Sequence, residues 1–180
     1  MKPVLPVASG RLRPATLDDA GRVLSLLRTP DVRRFLCDDR VLARSDVKAM
    51  LADSIRLDAE GLGLWIIEAD PNGFAGIMGL APVSPQASVS PDMIGGIEPT
   101  IAIDPEHEGK GLAFDAMTAV IDYARSRLRL QRLVAAVDEP NTRSNRLMKR
   151  AGFETMGLAR GPVHDLLLYE LAFDDASDGQ

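Results

Sequence analysis

Apolar positions recur along this chain with two different periods, and the switches between them mark out the elements. Leu17, Ala20, Val23, Leu24 and Leu27 fall on one face of a helix, at the three- and four-residue spacing of a 3.6-residue turn. Thr16, three residues ahead of Asp19, makes a start like a capping box, with Asp where Glu or Gln is preferred; Pro30 ends that helix. A short strand precedes it around Arg11 to Arg13, and "DVRRFL" predicts a short second helix. A third helix takes Ser45 as its cap, turns Val47, Met50, Leu51 and Ile55 inward, and stops at Gly61 and Gly63. "LWIIEA" then reads as a strand, "DPNG" at 70–73 as a turn and "FAGIMGLAPV" as the returning strand.

Residues 84–96, "SPQASVSPDMIGG", are rich in Ser, Pro and Gly and predict a long loop of a kind that is usually functional or mobile. "IEPTIAI" is the next strand, its ladder made irregular by Pro99. Past Gly111, the positions Leu112, Ala116, Met117, Val120, Ile121, Ala124 and Leu128 form an amphipathic stripe. "RLVAAV" is mostly apolar, as a strand buried on both faces would be. "EPNTRSNRLMKRAGF" predicts a short helix from near Asn141 to Gly152. "VHDLLLYELAF" is the last strand, and "DDASDGQ" an acidic tail expected to be disordered. Helices, a hairpin, then strand–helix–strand–helix–strand with no internal repeat predict an α/β or α+β fold. The expected sheet is mixed, of about six to seven strands, with helices on both faces. Residues 1–9 read as an extension and 10–173 as one domain.

Composition narrows the class. A length of 180 residues suits one domain, and 46% hydrophobic residues suffice for one substantial core. A net charge of −5 argues against broad electrostatic binding to nucleic acid or anionic lipid. Arg125, Arg127, Arg129 and Arg132 form a basic run, read as a solvated helix end because no aromatic residues interleave. Cys37 is the single cysteine, so no intramolecular disulfide can form, which fits a reducing, cytoplasmic setting; it reads as a packing residue. His107 and His164 lie far apart and no Cys/His cluster exists, so no metal site is expected. No apolar run reaches membrane-spanning length, and "MKPVLPVASG" makes a poor signal peptide. Trp65 and Tyr169 read as core or sheet residues, and Met50, Met117 and Met148 as packing. His164 is read as structural or as near the mouth of an acceptor site.

The chemistry concentrates in "AIDPEHEGKGLAFDAM", residues 102–117, where a strand passes through Gly109-Lys110-Gly111 into a helix. First-turn N–H groups lack backbone partners, the helix dipole adds positive charge, and glycine lets a bulky anion come close. Together these make an anion cradle, although a plain tight turn has the same sequence. A P-loop fails, because Gly111 follows Lys110 and the earlier glycine is missing; a dinucleotide fingerprint fails at Phe114. The pattern [QR]-x-x-G-x-[GA], the diphosphate loop of acetyl-coenzyme A-dependent transferases, fits residues 106–111 at Gly109 and Gly111 but has Glu106 in first place. Glu106 is expected to turn to solvent, with His107 and Lys110 offsetting its charge.

"IEPTIAIDPEHEGKGLAFDAM" followed by "RLVAAVDEPNTRSNRLMKRAGF" resembles the GNAT superfamily of N-acetyltransferases, most of all the branch that acetylates ribosomal-protein N-termini. "NTRSNRLMKRAGF" fits that branch's N-x-x-S-x-x-(apolar)-x-x-x-x-G-F pattern, and "RLRPATLDDAGRVLSLLRTPDVRRFL" is similar to its opening elements. The likeness runs over residues 10–172. It implies a splayed mixed sheet and acetyl transfer from acetyl-CoA, a co-substrate, to a primary amine by direct attack in a ternary complex, without a metal. It implies that coenzyme A is held by Ile101, Ala102, Ile103, Glu108, Gly109, Lys110, Gly111, Leu112 and Ala113, together with Asn141 and Ser144. Glu98 would be the general base. Ser144 would serve the departing thiolate, because Met148 stands where many relatives have a tyrosine acid. The acceptor would be a protein or peptide N-terminus or a small amine, and the protein a monomer or homodimer. Residue chemistry alone leaves Asn141 as a helix cap and Ser144 as a first-turn residue. Glu106 and Met148 keep open a catalytically idle module that binds acyl-CoA or a protein partner. A nucleotide-binding protein would instead take ATP or NAD.

Overall fold

The computed structural model describes residues 2–69, 73–86 and 88–173; residues 70–72 of the "DPNG" turn and the acidic tail 174–180 lie outside them. The elements are β1 (Leu5–Val7), β2 (Gly10–Pro14), α1 (Ala20–Arg28), α2 (Pro30–Leu36), α3 (Arg44–Arg56), β3 (Gly63–Ala69), β4 (Gly73–Pro82), β5 (Ile97–Ile103), α4 (Leu112–Ser126), β6 (Arg132–Asp138), α5 (Thr142–Arg150), β7 (Glu154–Arg160) and β8 (Asp165–Ala172). Backbone hydrogen bonds order the strands β1-β2-β3-β4-β5-β6-β8-β7. β5 and β6 run parallel, while β1–β2, β2–β3, β3–β4, β6–β8 and β7–β8 are antiparallel. The sheet is mixed, as expected, but has eight strands rather than six or seven. β1 is three residues long, and β7, "ETMGLAR", loses its two-residue alternation at a bulge between Thr155 and Gly157. Neither carries a strand signal strong enough to read.

The contacts divide the chain into two compact units. The first comprises Met1–Ala81 and Pro99–Ala119. Its core sets Val23, Leu26 and Leu27 of α1 and Val47 and Leu51 of α3 against Ile66, Ile77 and Ala102 of the strands. Full burial of each large aliphatic side chain contributes about 1.5–3 kcal/mol. Two positions of the helical stripes point outward instead: Leu17 is 51% exposed and Ile55 43%. Leu17 belongs to a 3₁₀ turn, Leu17–Asp19, out of phase with α1, and Ile55 sits in the last turn of α3. The cap of α3 is also displaced from Ser45. The Ala43 N–H donates to Asp46 Oδ2 at 2.7 Å, because the carboxylate three residues on reaches back. Asp19 carries more than its capping role. It accepts from the Thr16 N–H (2.8 Å) and from both terminal nitrogens of Arg13 (2.8 and 2.6 Å), while Arg13 Nε donates to Glu68 (2.6 Å). The N-terminal residues are tied in as well. β1 pairs with β2, Lys2 Nζ lies 3.4 Å from Asp58 and 4.9 Å from the Trp65 ring, and Trp65 Nε1 donates to the Pro3 carbonyl.

The second unit comprises Pro82–Glu98 and Val120–Gln180. Leu133, Val134, Ala135 and Val137 of β6 are buried, which bears out a strand covered on both faces. On one face Met93, Val134, Leu166 and Leu168 cluster, with Val83, Val89 and Ala136 against them. Met93 comes from the 84–96 loop, so its described residues are anchored. The Val83 N–H bonds the Gly96 carbonyl, and Arg132 Nη2 bonds the Asp92 carbonyl at 2.9 Å. Arg132 therefore does not belong to a solvated helix end; its other nitrogen pairs with Glu170 at 2.7 Å. Tyr169, fully buried, donates its hydroxyl to Asn145 Oδ1 of α5 at 2.9 Å.

Candidate active site

In the first unit, β5 ends at Ile103 and the Asp104 side chain caps a short 3₁₀ turn, Pro105–His107, by accepting the Glu106 N–H at 3.0 Å. Gly109 and Gly111 then take φ of +73° and +81°, the left-handed region in which a Cβ is costly. An added Cβ at either would meet no protein atom within 4 Å, so backbone conformation, not crowding, reserves both positions for glycine. A side chain there would fill the space beside the loop. The first helical bond of α4 runs from the Phe114 N–H to the Gly111 carbonyl. Among the described residues, no protein acceptor meets the amides of Gly109, Lys110, Gly111, Leu112 or Ala113. Five consecutive unengaged N–H groups, through alternating backbone conformations and into a helix start, suit a diphosphate. Glu106 is exposed, and Lys110 folds back so that its ammonium donates to the Glu106 carbonyl at 2.9 Å. His107 is buried, and its Nδ1 has no partner among the described residues. The diphosphate-loop pattern also fits residues 108–113 at its two small positions, Gly111 and Ala113, with Glu108 in first place where Gln or Arg is usual. That register, which the sequence reading missed, centres the pattern on the unengaged amides.

Glu98, Asn141 and Ser144 belong to the second unit. Ile97 of β5 pairs with Leu133 of β6, and beyond it the Ala136 N–H is taken by Glu98 Oε1 at 2.8 Å rather than by a neighbouring strand. Burial raises the Glu98 carboxyl above the usual carboxylate range, only partly opposed by the Ala136 amide. Asn141 caps α5, its Oδ1 accepting the Ser144 N–H at 3.2 Å. The cap uses the oxygen, so the amide nitrogen of Asn141 and the hydroxyl of Ser144 meet no protein partner among the described residues. Met148 is 3% exposed and has no proton to give. The Cys37 thiol is half-buried and pushed up by that burial, as a packing residue rather than a nucleophile would be.

Sequence reasoning passed over Asn145. Its Nδ2 donates to the carbonyls of Asp138 and Glu139 (3.0 and 3.1 Å), which fixes the turn from β6 into α5 and so places Asn141 and Ser144. An Asn beside the N-x-x-S pattern gives no signal of its own; only its burial does. Asp138 and His164 were likewise not linked, and they meet at 3.0 Å. Among the described residues, no group of His, Cys, Asp and Glu could hold a metal ion, and no helix is long and apolar enough to cross a membrane.

A family model described as an acetyltransferase (GNAT) domain matches residues 11–154. The chain is 27% identical over 182 residues to the uncharacterized N-acetyltransferase YoaA of Bacillus subtilis, covering 95% of this chain and 97% of that protein. It is 41% identical over 61 residues to the probable N-acetyltransferase YjcK of the same organism, a match spanning about a third (34%) of each chain. Among solved structures, a putative GNAT-family acetyltransferase from Bordetella pertussis superposes with a TM-score of 0.79 at 23% identity, covering 95% of this chain and 100% of that one. The ribosomal L7/L12 alpha-N-protein acetyltransferase RimL, solved in complex with coenzyme A, gives 0.76 at 20% identity, covering 96% and 99%.

Proposed function

The chain belongs to the acetyltransferase (GNAT) family and is an acetyl-CoA-dependent acetyltransferase; we propose that it acetylates a primary amine by direct attack, with residues 10–173 working as one catalytic domain. The observation that carries this reading is the run of unengaged amides from Gly109 to Ala113. These would bind the diphosphate of coenzyme A. Ile101, Ala102 and Ile103 at the end of β5, Glu108 in the loop, and Asn141 and Ser144 at the start of α5 would line the rest of the cofactor. Acetyl-CoA, when bound, supplies the acetyl group as a thioester.

The protein's own task is then proton traffic and orientation. An ammonium has no lone pair, so the acceptor must lose a proton before its nitrogen can attack. Glu98 takes that proton. The Ala136 amide fixes one of its oxygens, and burial makes it a stronger base than an exposed carboxylate. Ser144 hydrogen-bonds or protonates the sulfur that departs. An α-amine, with a pKa of about 8, asks less of such a site than a lysine at about 10.4. That difference favours a protein or peptide N-terminus, with small amines next, and RimL, a ribosomal L7/L12 alpha-N-protein acetyltransferase, acts on an acceptor of that kind. A cytoplasmic setting fits the single cysteine.

Titration calorimetry with acetyl-CoA, followed by an amine-dependent thiol-release assay over peptides and small amines, tests the reading. Binding with release supports it. Binding without release over the whole panel favours the idle module, to which the buried Met148 already lends some weight. Binding of ATP or NAD in place of acetyl-CoA overturns both.

A further inference from the structure

Asp138, on the sheet face that Glu98 shares, meets His164, and this pair has no part in the scheme above. Ile97 pairs with Leu133, so the next residue, Glu98, shares a face with Val134, Ala136 and Asp138 of β6. Glu98 is bonded at Ala136, and Asp138 follows two residues along the same face, about 7 Å on. His164, in the turn between β7 and β8, brings Nδ1 to 3.0 Å from Asp138 Oδ1; the two side chains are 23% and 13% exposed. Of the other charged groups the register puts on this face, Arg132 and Glu170 are committed to each other, Arg132 also to the 84–96 loop, and Glu154, opposite Glu170 in the register, is exposed. Asp165, next to His164, opens β8 on the opposite face, across from Arg160 in the strand register.

Between ammonium and amide the acceptor nitrogen sheds two protons. One ends on the departing sulfur, and the other has to reach solvent from a half-buried site. We infer that His164, oriented by Asp138, is a second proton acceptor for the acceptor amine. Glu98 takes the proton as an N–H bond of the ammonium breaks and its electron pair stays on nitrogen; the Glu98 O–H bond then breaks, an N–H bond forms on the imidazole, and the carboxylate is restored. Asp138 accepts from the ring, fixes the tautomer and stabilises the imidazolium. His164 is then a catalytic residue and Asp138 a positioning one. The inference rests on the acetyltransferase reading above.

The deciding variant is His164→Gln, whose amide can still donate to Asp138 and so preserve the tie between turn and strand, but cannot take up a proton. The expected result is a fall of about 100-fold in kcat/KM, with a Tm within about 3 °C of the parent. Asp138→Asn, which upsets the tautomer, should lose about tenfold or more by the same logic. Added imidazole should restore part of the activity of His164→Ala, and this decides the matter if the Gln variant melts early. A His164→Gln enzyme within threefold of the parent, or a His164→Ala enzyme that imidazole does not rescue, overturns this inference and leaves the acetyltransferase reading standing. A parent protein that acetylates no amine overturns both.

Discussion

Replacing Glu98 with Gln separates catalysis from folding in one step. The substitution keeps an oxygen to accept the Ala136 N–H, now at 2.8 Å, and removes only the charge. Loss of a general base costs about 10²–10⁴ in rate, which is about 2.7–5.4 kcal/mol of transition-state stabilisation. Stability should move the other way. Burial raises the Glu98 carboxyl in the folded state, so its contribution to stability is greatest at low pH and is lost as pH rises through the folded value. At pH 7 the parent bears the cost of a half-buried carboxylate, and the neutral amide does not. Glu98→Gln should therefore melt at or above the parent temperature at pH 7, with the advantage shrinking toward pH 4. In a thiol-release assay the acidic limb of the pH profile set by Glu98 should lie above the ordinary glutamate value of about 4.3 and should flatten in the variant. A variant with kcat/KM within threefold of the parent, or one that loses activity and melts lower together, refutes the assignment of Glu98 as the base.

Other substitutions probe the remaining parts. Gly111→Val places a β-branched residue at φ +81° and fills the space beside the amides. Losing one charge-assisted bond of about 1.5–3 kcal/mol should raise the calorimetric Kd for acetyl-CoA at least tenfold, and an unchanged Kd removes the loop from the binding site. Ser144→Ala should lower kcat about tenfold with little change in the KM for acetyl-CoA, as expected of a group that acts on developing charge; unaltered turnover excludes it. For Asp19, burial pushes the carboxyl up, but the bonds from Arg13 and Thr16 more than offset it and leave it below the usual value. Its stabilisation is therefore present above pH about 3.9 and lost as pH falls through the lower folded value. Asp19→Asn should cost about 2–3 kcal/mol at pH 7, less than a fully buried pair because Arg13 keeps Glu68. Urea denaturation should show that gap closing in acid; a gap independent of pH contradicts the ion-pair account.

What could be read from the sequence was what the backbone dictates locally. The amphipathic stripes placed α1, α3 and α4 because burial of one helix face follows a fixed period. Gly109 and Gly111 marked the anion loop because a left-handed backbone leaves few alternatives. The less visible features depend on tertiary partners. β7 is an edge strand whose bulge between Thr155 and Gly157 breaks the period that Met156 and Ala159 would otherwise announce, and the cap of α3 moved because a carboxylate at Asp46 outcompeted the hydroxyl of Ser45. Arg132 looked like one more surface cation until its partners, Glu170 and the Asp92 carbonyl, came from segments about 40 residues away on either side. Among the proposed site residues, the glycine loop, Asn141 and Ser144 were each picked out by pattern. Asn145, which holds the turn, and the meeting of Asp138 with His164 were not, because only the folded chain joins them.

The central claim is that the amides from Gly109 to Ala113 grip the diphosphate of coenzyme A. Amide-resolved ¹⁵N NMR during titration with coenzyme A measures this directly, with pantetheine, which lacks the diphosphate, as the control. The account predicts that these five amides shift most with coenzyme A and stay in place with pantetheine. Saturable binding of coenzyme A that leaves them unmoved would contradict it.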